Sequence, residues 1–315
     1  MPAKGPTATD FGLLGLALIW GVNFSVMKVT LAELDPLALN ALRFPLAAGA
    51  LWIALRGRTG PPIPRGADLG RVVALGFVGN VVYQLCFIFG IDWTLAGNAS
   101  LLLSTTPVWT MLLSAAVGHE RPAGAVLLGI LGTLVGMALV VLGRGDAVSL
   151  GSATLRGDLL MVVASVLWST YTVGGRGPVA RYGALRLTAW TLWAATPVIV
   201  LMGLPSLART DLGAVSAGAW LGVAYAGLLS VGLAYLLWYR GVERLGNNRT
   251  AVYSNLVPVA ALVTAWLWLG EVPTRLQVVG AAVILAGLTT ARLSRSGAAD
   301  QPGPSSLRWR SSGNS

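Results

Sequence analysis

The sequence predicts an all-α integral membrane protein with ten transmembrane helices arranged as two inverted five-helix repeats. Three observations lead there: composition, the spacing of apolar runs, and a long internal repeat. Charged residues make up 11% of the 315-residue chain, against about 25% in an average soluble domain, and the mean hydropathy is +0.71. The apolar runs are roughly 20 residues long, enough for a helix to cross a hydrocarbon core of about 30 Å. Alternating strands of about ten residues, the mark of a barrel, are absent.

Taken in order, the candidate spans lie near 10–30, 36–55, 70–91, 98–118, 123–142, 157–176, 184–203, 216–239, 249–269 and 274–292. Charged residues or Pro/Gly-rich breaks separate them. The first is too long for a signal peptide, is interrupted by Trp20 and Asn23, and lacks a small-residue cleavage pattern. The fourth and ninth carry interior prolines, Pro107 and Pro258, which predict a kink and a freed carbonyl in each helix. Before residue 10 a short cytoplasmic segment is expected. Residues 294–315 are rich in Gly, Ser, Pro and Arg and are expected to be a disordered cytoplasmic tail.

The repeat divides the chain at 10–147 and 148–293. One fixed offset aligns Asp10 with Asp158, Trp20 with Trp168 and Lys28 with Arg176. A slightly larger one aligns Gly90 with Gly241, Pro107 with Pro258, Glu120 with Glu271 and Pro122 with Pro273. Matches at constant spacing mark a duplicated structural unit. An odd number of crossings per unit would insert the second upside down, which allows alternate closure on either side of a shared centre.

Basic residues fix the expected orientation. With the N-terminus cytoplasmic, most of the 22 Lys and Arg residues fall in loops on the cytoplasmic side, including Arg56, Arg58, Arg65 and Arg71. Both termini are then cytoplasmic. The net charge of +10 is spread over alternating loops, which argues against nucleic acid as a partner and for attraction to the headgroups of a lipid bilayer.

Five segments carry a resemblance to a known family: ALIWGVNFSVMK (17–28), NALRFPLAA (40–48), NASLLLSTTPVW (98–109), GHERPAGAVLLGILGTLVGMALV (118–140) and LGEVPTRLQVVGAAVILAGL (269–288). The chain resembles the drug/metabolite transporter superfamily, of the ten-helix EamA type, over about residues 10–293. The Glu-x-Pro followed by spaced glycines, once per half, is the most diagnostic element. The resemblance implies ten helices in two inverted bundles around a central cavity. It also implies export of small metabolites, often amino acids, from the bacterial cytoplasm, hence a location in the bacterial inner membrane.

Candidate cavity residues come from polar and aromatic groups inside the spans. Trp20 and Asn23 sit one turn apart on the first span, with Trp168 and Tyr171 at the matched places on the sixth. An amide facing lipid is costly, so two readings stand: a substrate cavity, or an interhelical hydrogen bond with packed tryptophans. Ser104 and Asn255 lie just before the two proline kinks and are the leading candidates there, with Thr105 and Tyr253 beside them. The third and eighth spans add Asn80, Tyr83, Gln84, Tyr235 and Trp238; Gln84 and Tyr235 are matched by the repeat. Either a cavity role or a structural hydrogen bond explains them. Arg43 is the one cation well inside a span. Its fork suits a carboxylate, and a structural pairing suits it equally. Glu120 and Glu271 each precede a proline by two residues, which favours a turn-stabilising or gating role shared with Pro107 and Pro258.

Little supports catalysis. One Cys and one His make no zinc-type cluster, no phosphate-binding glycine motif occurs, and no nucleophile meets a base, so neither metal nor cofactor is expected. An intramembrane enzyme is the least favoured class, and a passive channel is the nearer rival to a carrier. Amides, hydroxyls and aromatic faces with a single cation suit a neutral or zwitterionic metabolite, such as an amino acid, or an amphipathic drug-like solute. A polyanion would call for several cations. The sequence does not fix the oligomeric state.

Overall fold

A computed structural model describes residues 7–61, 63–117, 124–143, 153–254 and 256–299. Among these, the chain forms only helices and connections. Helix α1 spans Ala8–Leu31 and α2 spans Pro36–Leu55. Thr7 and Asp10 close a capping box at the start of α1, satisfying backbone donors that a helix end leaves free. Asp35 caps α2, with Pro36 in its first turn, where the missing N–H costs nothing. Helix α3, Ala67–Gly76, runs through a π-helical segment, Phe77–Val82, into α4, Tyr83–Trp93. Helices α5, Ala96–Leu103, α6, Thr106–Ala116, and α7, Gly124–Leu142, complete the first half.

The second half repeats this order. Helices α8, Ala153–Tyr182, and α9, Ala184–Leu207, meet at Gly183, whose φ of 80° suits a residue without a Cβ. Helix α10, Ala217–Ala224, leads through a second π-helical segment, Tyr225–Leu233, into α11, Ala234–Tyr253. Then come α12, Leu256–Leu269, and α13, Arg275–Ala299. Among the described residues, seven helical stretches are long and apolar enough to cross a membrane, and Leu256–Leu269 and Arg275–Gly287 are shorter apolar helices. The chain is a multi-pass membrane protein.

Three features differ from the sequence expectation. The kink before Pro107 is a full break: α5 ends at Leu103, and α6 restarts at Thr106 with the proline in its first turn. That placement relieves the clash a mid-helix proline would create. The loop expected at 240–248 is helical instead, because α11 runs on to Tyr253; no proline interrupts it, and Glu243, Arg244 and Leu245 favour helix. The two π-helical segments have no counterpart in the sequence reading.

The halves pack against each other by the same contact made twice. Gly76 of α3 lies against α9, where an ideal Cβ would sit 2.5 Å from the Thr191 carbonyl oxygen. Gly227, its match, lies against α2, where a Cβ would sit 2.6 Å from the Arg43 carbonyl oxygen. Arg43 and Thr191 are themselves matched by the repeat. Likewise Gly90 sits on Met161, and Gly241 on Leu13. Helices α7 and α13 close tightly where Gly136 and Gly280 face each other's carbonyls. Small residues at such positions let backbones approach within a bilayer, where packing supplies much of the association.

Candidate functional site

Helices α1, α2, α4, α5, α8 and α11 surround a central cavity with ≈ 60 Å³ open to the centre of a water molecule. Its wall includes Trp20, Asn23, Arg43, Tyr83, Gln84, Ser104, Trp168, Tyr235 and Trp238. Both π-helical segments end where α4 and α11 deliver Tyr83, Gln84, Tyr235 and Trp238. A π turn shifts the phase of a helix and is frequent at functional sites.

Aromatic rings form one side of the cavity. Trp20 meets Trp168, its match in the repeat, edge-to-face at 5.5 Å between centroids. Trp168 also lies 4.8 Å from Tyr235 and 5.1 Å from Tyr83. Trp238 lies 5.6 Å from Trp20. The Trp20 indole is fixed further by donating to the Ser230 carbonyl at 3.0 Å, within the second π-helical segment.

A polar chain runs from α2 into this ring cluster. Arg43 is 1% exposed. Its Nε donates to Asn40 Oδ1 at 2.9 Å, one terminal nitrogen to Met27 Sδ at 3.3 Å, and the other to Gln84 Oε1 at 2.7 Å. Gln84 Nε2 then donates to the Tyr235 hydroxyl at 2.6 Å. Residues matched between the two halves therefore bond directly at the centre. Asn23 Oδ1 and Trp238 Nε1, on residues that line the cavity, meet no hydrogen-bond partner among the described residues.

Four sequence candidates, Asn80, Thr105, Tyr171 and Tyr253, lie off the cavity. Tyr171 is buried beside Trp168, but its hydroxyl bonds Thr191 Oγ1 at 2.9 Å, and its ring fills the space over Gly79. Tyr253 donates to Asp10 at the start of α1. Asn255 and Glu120 lie outside the described residues. Pro107 and Pro258 are buried in the first turns of α6 and α12. Thr105 turns away to Ser165 and to the Leu102 carbonyl.

Glu271 does more than steady its own turn. Its carboxylate accepts from the Ala96 and Gly97 amides, both at 3.1 Å, tying the end of the second half to the start of α5. An anion at a helix N-terminus meets free N–H groups and a favourable dipole. Nearby, Lys28 Nζ donates to the Asp92 carbonyl at 2.9 Å, and Thr94 to Asp158. Tyr253–Asp10 and the Arg181–Asp68–Tyr182 cluster pin other helix ends.

The sequence reading did not name Phe24, Phe87, Ser230 or Ser254, which also line the cavity. Phe87 follows Tyr83 at the four-residue spacing that puts both on one helix face, a signal present in the sequence. Ser230 contributes through the π-helical segment, which the sequence pattern does not reveal.

Known proteins place this geometry in context. The EamA-like transporter family model matches residues 7–142 and again 155–292. A probable terminal-alkyne amino-acid exporter of Streptantibioticus cattleyicolor is 31% identical over 88% of this chain and 91% of its own length. A probable amino-acid metabolite efflux pump of Salmonella typhimurium is 30% identical, covering 88% of this chain and 92% of its own. A protein of known crystal structure, 21% identical, superposes with a TM-score of 0.67 over 93% of this chain and 99% of its own, a likeness of fold. The chain belongs to the EamA-like transporter family and is a transporter, not an enzyme.

Proposed function

We propose that this protein is a secondary transporter that exports small metabolites, amino acids or related neutral and zwitterionic solutes, by alternating access around the central cavity. In this reading ten helices form two inverted repeats in the bacterial inner membrane, with both termini cytoplasmic. One observation carries it: matched residues of the two halves, Trp20 with Trp168 and Gln84 with Tyr235, meet at the same cavity. A site on a shared pseudo-symmetry axis is what rocking one repeat against the other requires. The crossed glycine contacts support the same arrangement, since each half grips the other through equivalent backbone positions. The relatives named as amino-acid exporters support the solute class.

The test is counterflow in proteoliposomes, preloaded with one unlabelled amino acid per batch and supplied outside with its labelled form. Saturable uptake that Asn23→Ala and Asn255→Ala weaken, with folded protein retained, is the expected result. Failure across an amino-acid panel, with exchange of an amphipathic drug, would move the solute class to the one that the aromatic wall also suits.

A further inference from the structure

Arg43 is a cation enclosed at the cavity with no carboxylate beside it among the described residues. Its hydrogen-bond partners are an amide oxygen, a thioether sulfur and a second amide oxygen, and the Phe44 and Phe87 rings lie 5.8 and 5.9 Å from its guanidinium carbon. A guanidinium has five N–H donors, one on Nε and two on each terminal nitrogen. One N–H on each terminal nitrogen is thus left without an acceptor among the described residues. Free guanidinium N–H groups are suited to carboxylate oxygens, the strongest acceptors a small solute brings. A buried charge left unpaired is costly to keep, and an intramembrane one marks a functional site.

Two further buried atoms on the cavity wall lack partners among the described residues. Trp238 Nε1, on a side chain 2% exposed, is a donor only. Asn23 Oδ1, on a side chain 3% exposed, is an acceptor. Among the described residues the cavity therefore offers a fixed positive charge, an unmatched indole donor, an unmatched amide acceptor, and no carboxylate in its wall. Aromatic faces complete it, and these accept a cation weakly and an apolar side chain well.

We infer that Arg43 is the specificity-determining residue of this site, and that its ligand class is the small monocarboxylate. The carboxylate is required, while an α-amine is accommodated by Asn23 Oδ1 and the rings without being required. The inference rests on the transport reading above but is narrower than it. Solutes that carry an amine and no carboxylate place a second positive charge beside Arg43 and bind more weakly.

Three probes of one carbon skeleton separate these requirements: leucine, 4-methylpentanoate, which lacks the amine, and leucinamide, which lacks the carboxylate. Binding to the purified full chain in detergent is read from ligand-induced shifts in melting and from competition, which avoids leakage of the free acid through lipid. Leucine counterflow in proteoliposomes runs in parallel. Leucine and 4-methylpentanoate should bind within a few-fold of each other. Leucinamide should bind roughly 10- to 100-fold more weakly, the loss expected for a charged hydrogen-bonded pair. Arg43→Gln should erase the difference between leucine and leucinamide, and Arg43→Lys should retain part of it. If Arg43→Gln does not fold, the wild-type series alone decides. Equal binding of leucine and leucinamide, with leucine exchange intact, overturns the assignment of Arg43 and leaves the transport reading standing. Binding of 4-methylpentanoate without leucine binding or exchange upholds Arg43 and overturns the amino-acid reading. Binding of none of the three overturns the carboxylate class.

Discussion

Gly227→Ala and Gly76→Ala test whether the crossed glycine contacts hold the two halves together. A methyl at position 227 would stand 2.6 Å from the Arg43 carbonyl oxygen, and one at position 76 would stand 2.5 Å from that of Thr191. Ordinary contact begins near 3.4 Å, and both obstacles are backbone atoms that no rotamer change removes. The paired helices must therefore part by most of an ångström. Overpacking of this kind costs about 1–3 kcal/mol, offset by about 0.4–1 kcal/mol because alanine restricts the unfolded chain. A net loss of about 1–2 kcal/mol is expected from each variant, and the two losses should be alike because the contacts are equivalent. Equilibrium unfolding in mixed detergent measures both. Gly49→Ala, where nothing lies within 4 Å of the new methyl, is the control and should be neutral or slightly stabilising. A neutral result at both positions 76 and 227 would refute the idea that this close approach is rigid. A loss at one alone would refute the equivalence of the halves.

Two other outcomes follow from named contacts. Tyr235→Phe removes the acceptor that takes Gln84 Nε2 at 2.6 Å and leaves a buried amide donor unpaired, which should cost about 1–3 kcal/mol by the same unfolding measurement. Tyr235→Phe with Gln84→Leu should recover part of that loss, since replacing both partners removes the orphaned group. Between α1 and α2, Glu33 accepts from the backbone N–H and the hydroxyl of Ser216, the N-cap of α10. These bonds hold its carboxyl below the usual value of 4.5, the backbone bond contributing most. A depressed carboxylate contributes stability that is fully present above its unfolded value and is lost as pH falls through the folded one. Melting curves between pH 7 and pH 3 should therefore converge for wild type and Glu33→Gln at the acid end. Curves that stay parallel would contradict the sign.

Much of this molecule is legible in its sequence because a bilayer leaves few choices. Long apolar runs must be helices, and a repeat at fixed spacing must be a duplicated unit. Matching across that repeat points to Trp20 with Trp168 and Gln84 with Tyr235, and these pairs touch at the centre. The matching misleads at Tyr171, which occupies the place of Asn23 but is much larger. Its ring turns into the gap over Gly79, and its hydroxyl finds Thr191. Tyr253 stands one residue before the break that precedes α12 and reaches Asp10 across the fold, a long-range partner that no local pattern announces. The π-helical segments were equally hidden. They begin immediately after Gly76 and just before Gly227, where one helix is pressed onto a carbonyl of another, so tertiary packing rather than local propensity decides them. Arg43 was visible as an intramembrane cation, but that no carboxylate among the described residues pairs with it is a fact of three dimensions.

The central claim is one cavity, shared by both halves and open to one side at a time. Single cysteines at Ser104 and Trp168, placed in a background where the half-buried Cys86 is replaced by serine, test it most directly. Membrane-impermeant maleimide is added to one face of sealed vesicles or the other, with and without leucine. The account predicts that the two positions change together: a condition that opens them to one face protects both from the other. Simultaneous labelling of either position from both faces would mean a continuous channel and would contradict alternating access.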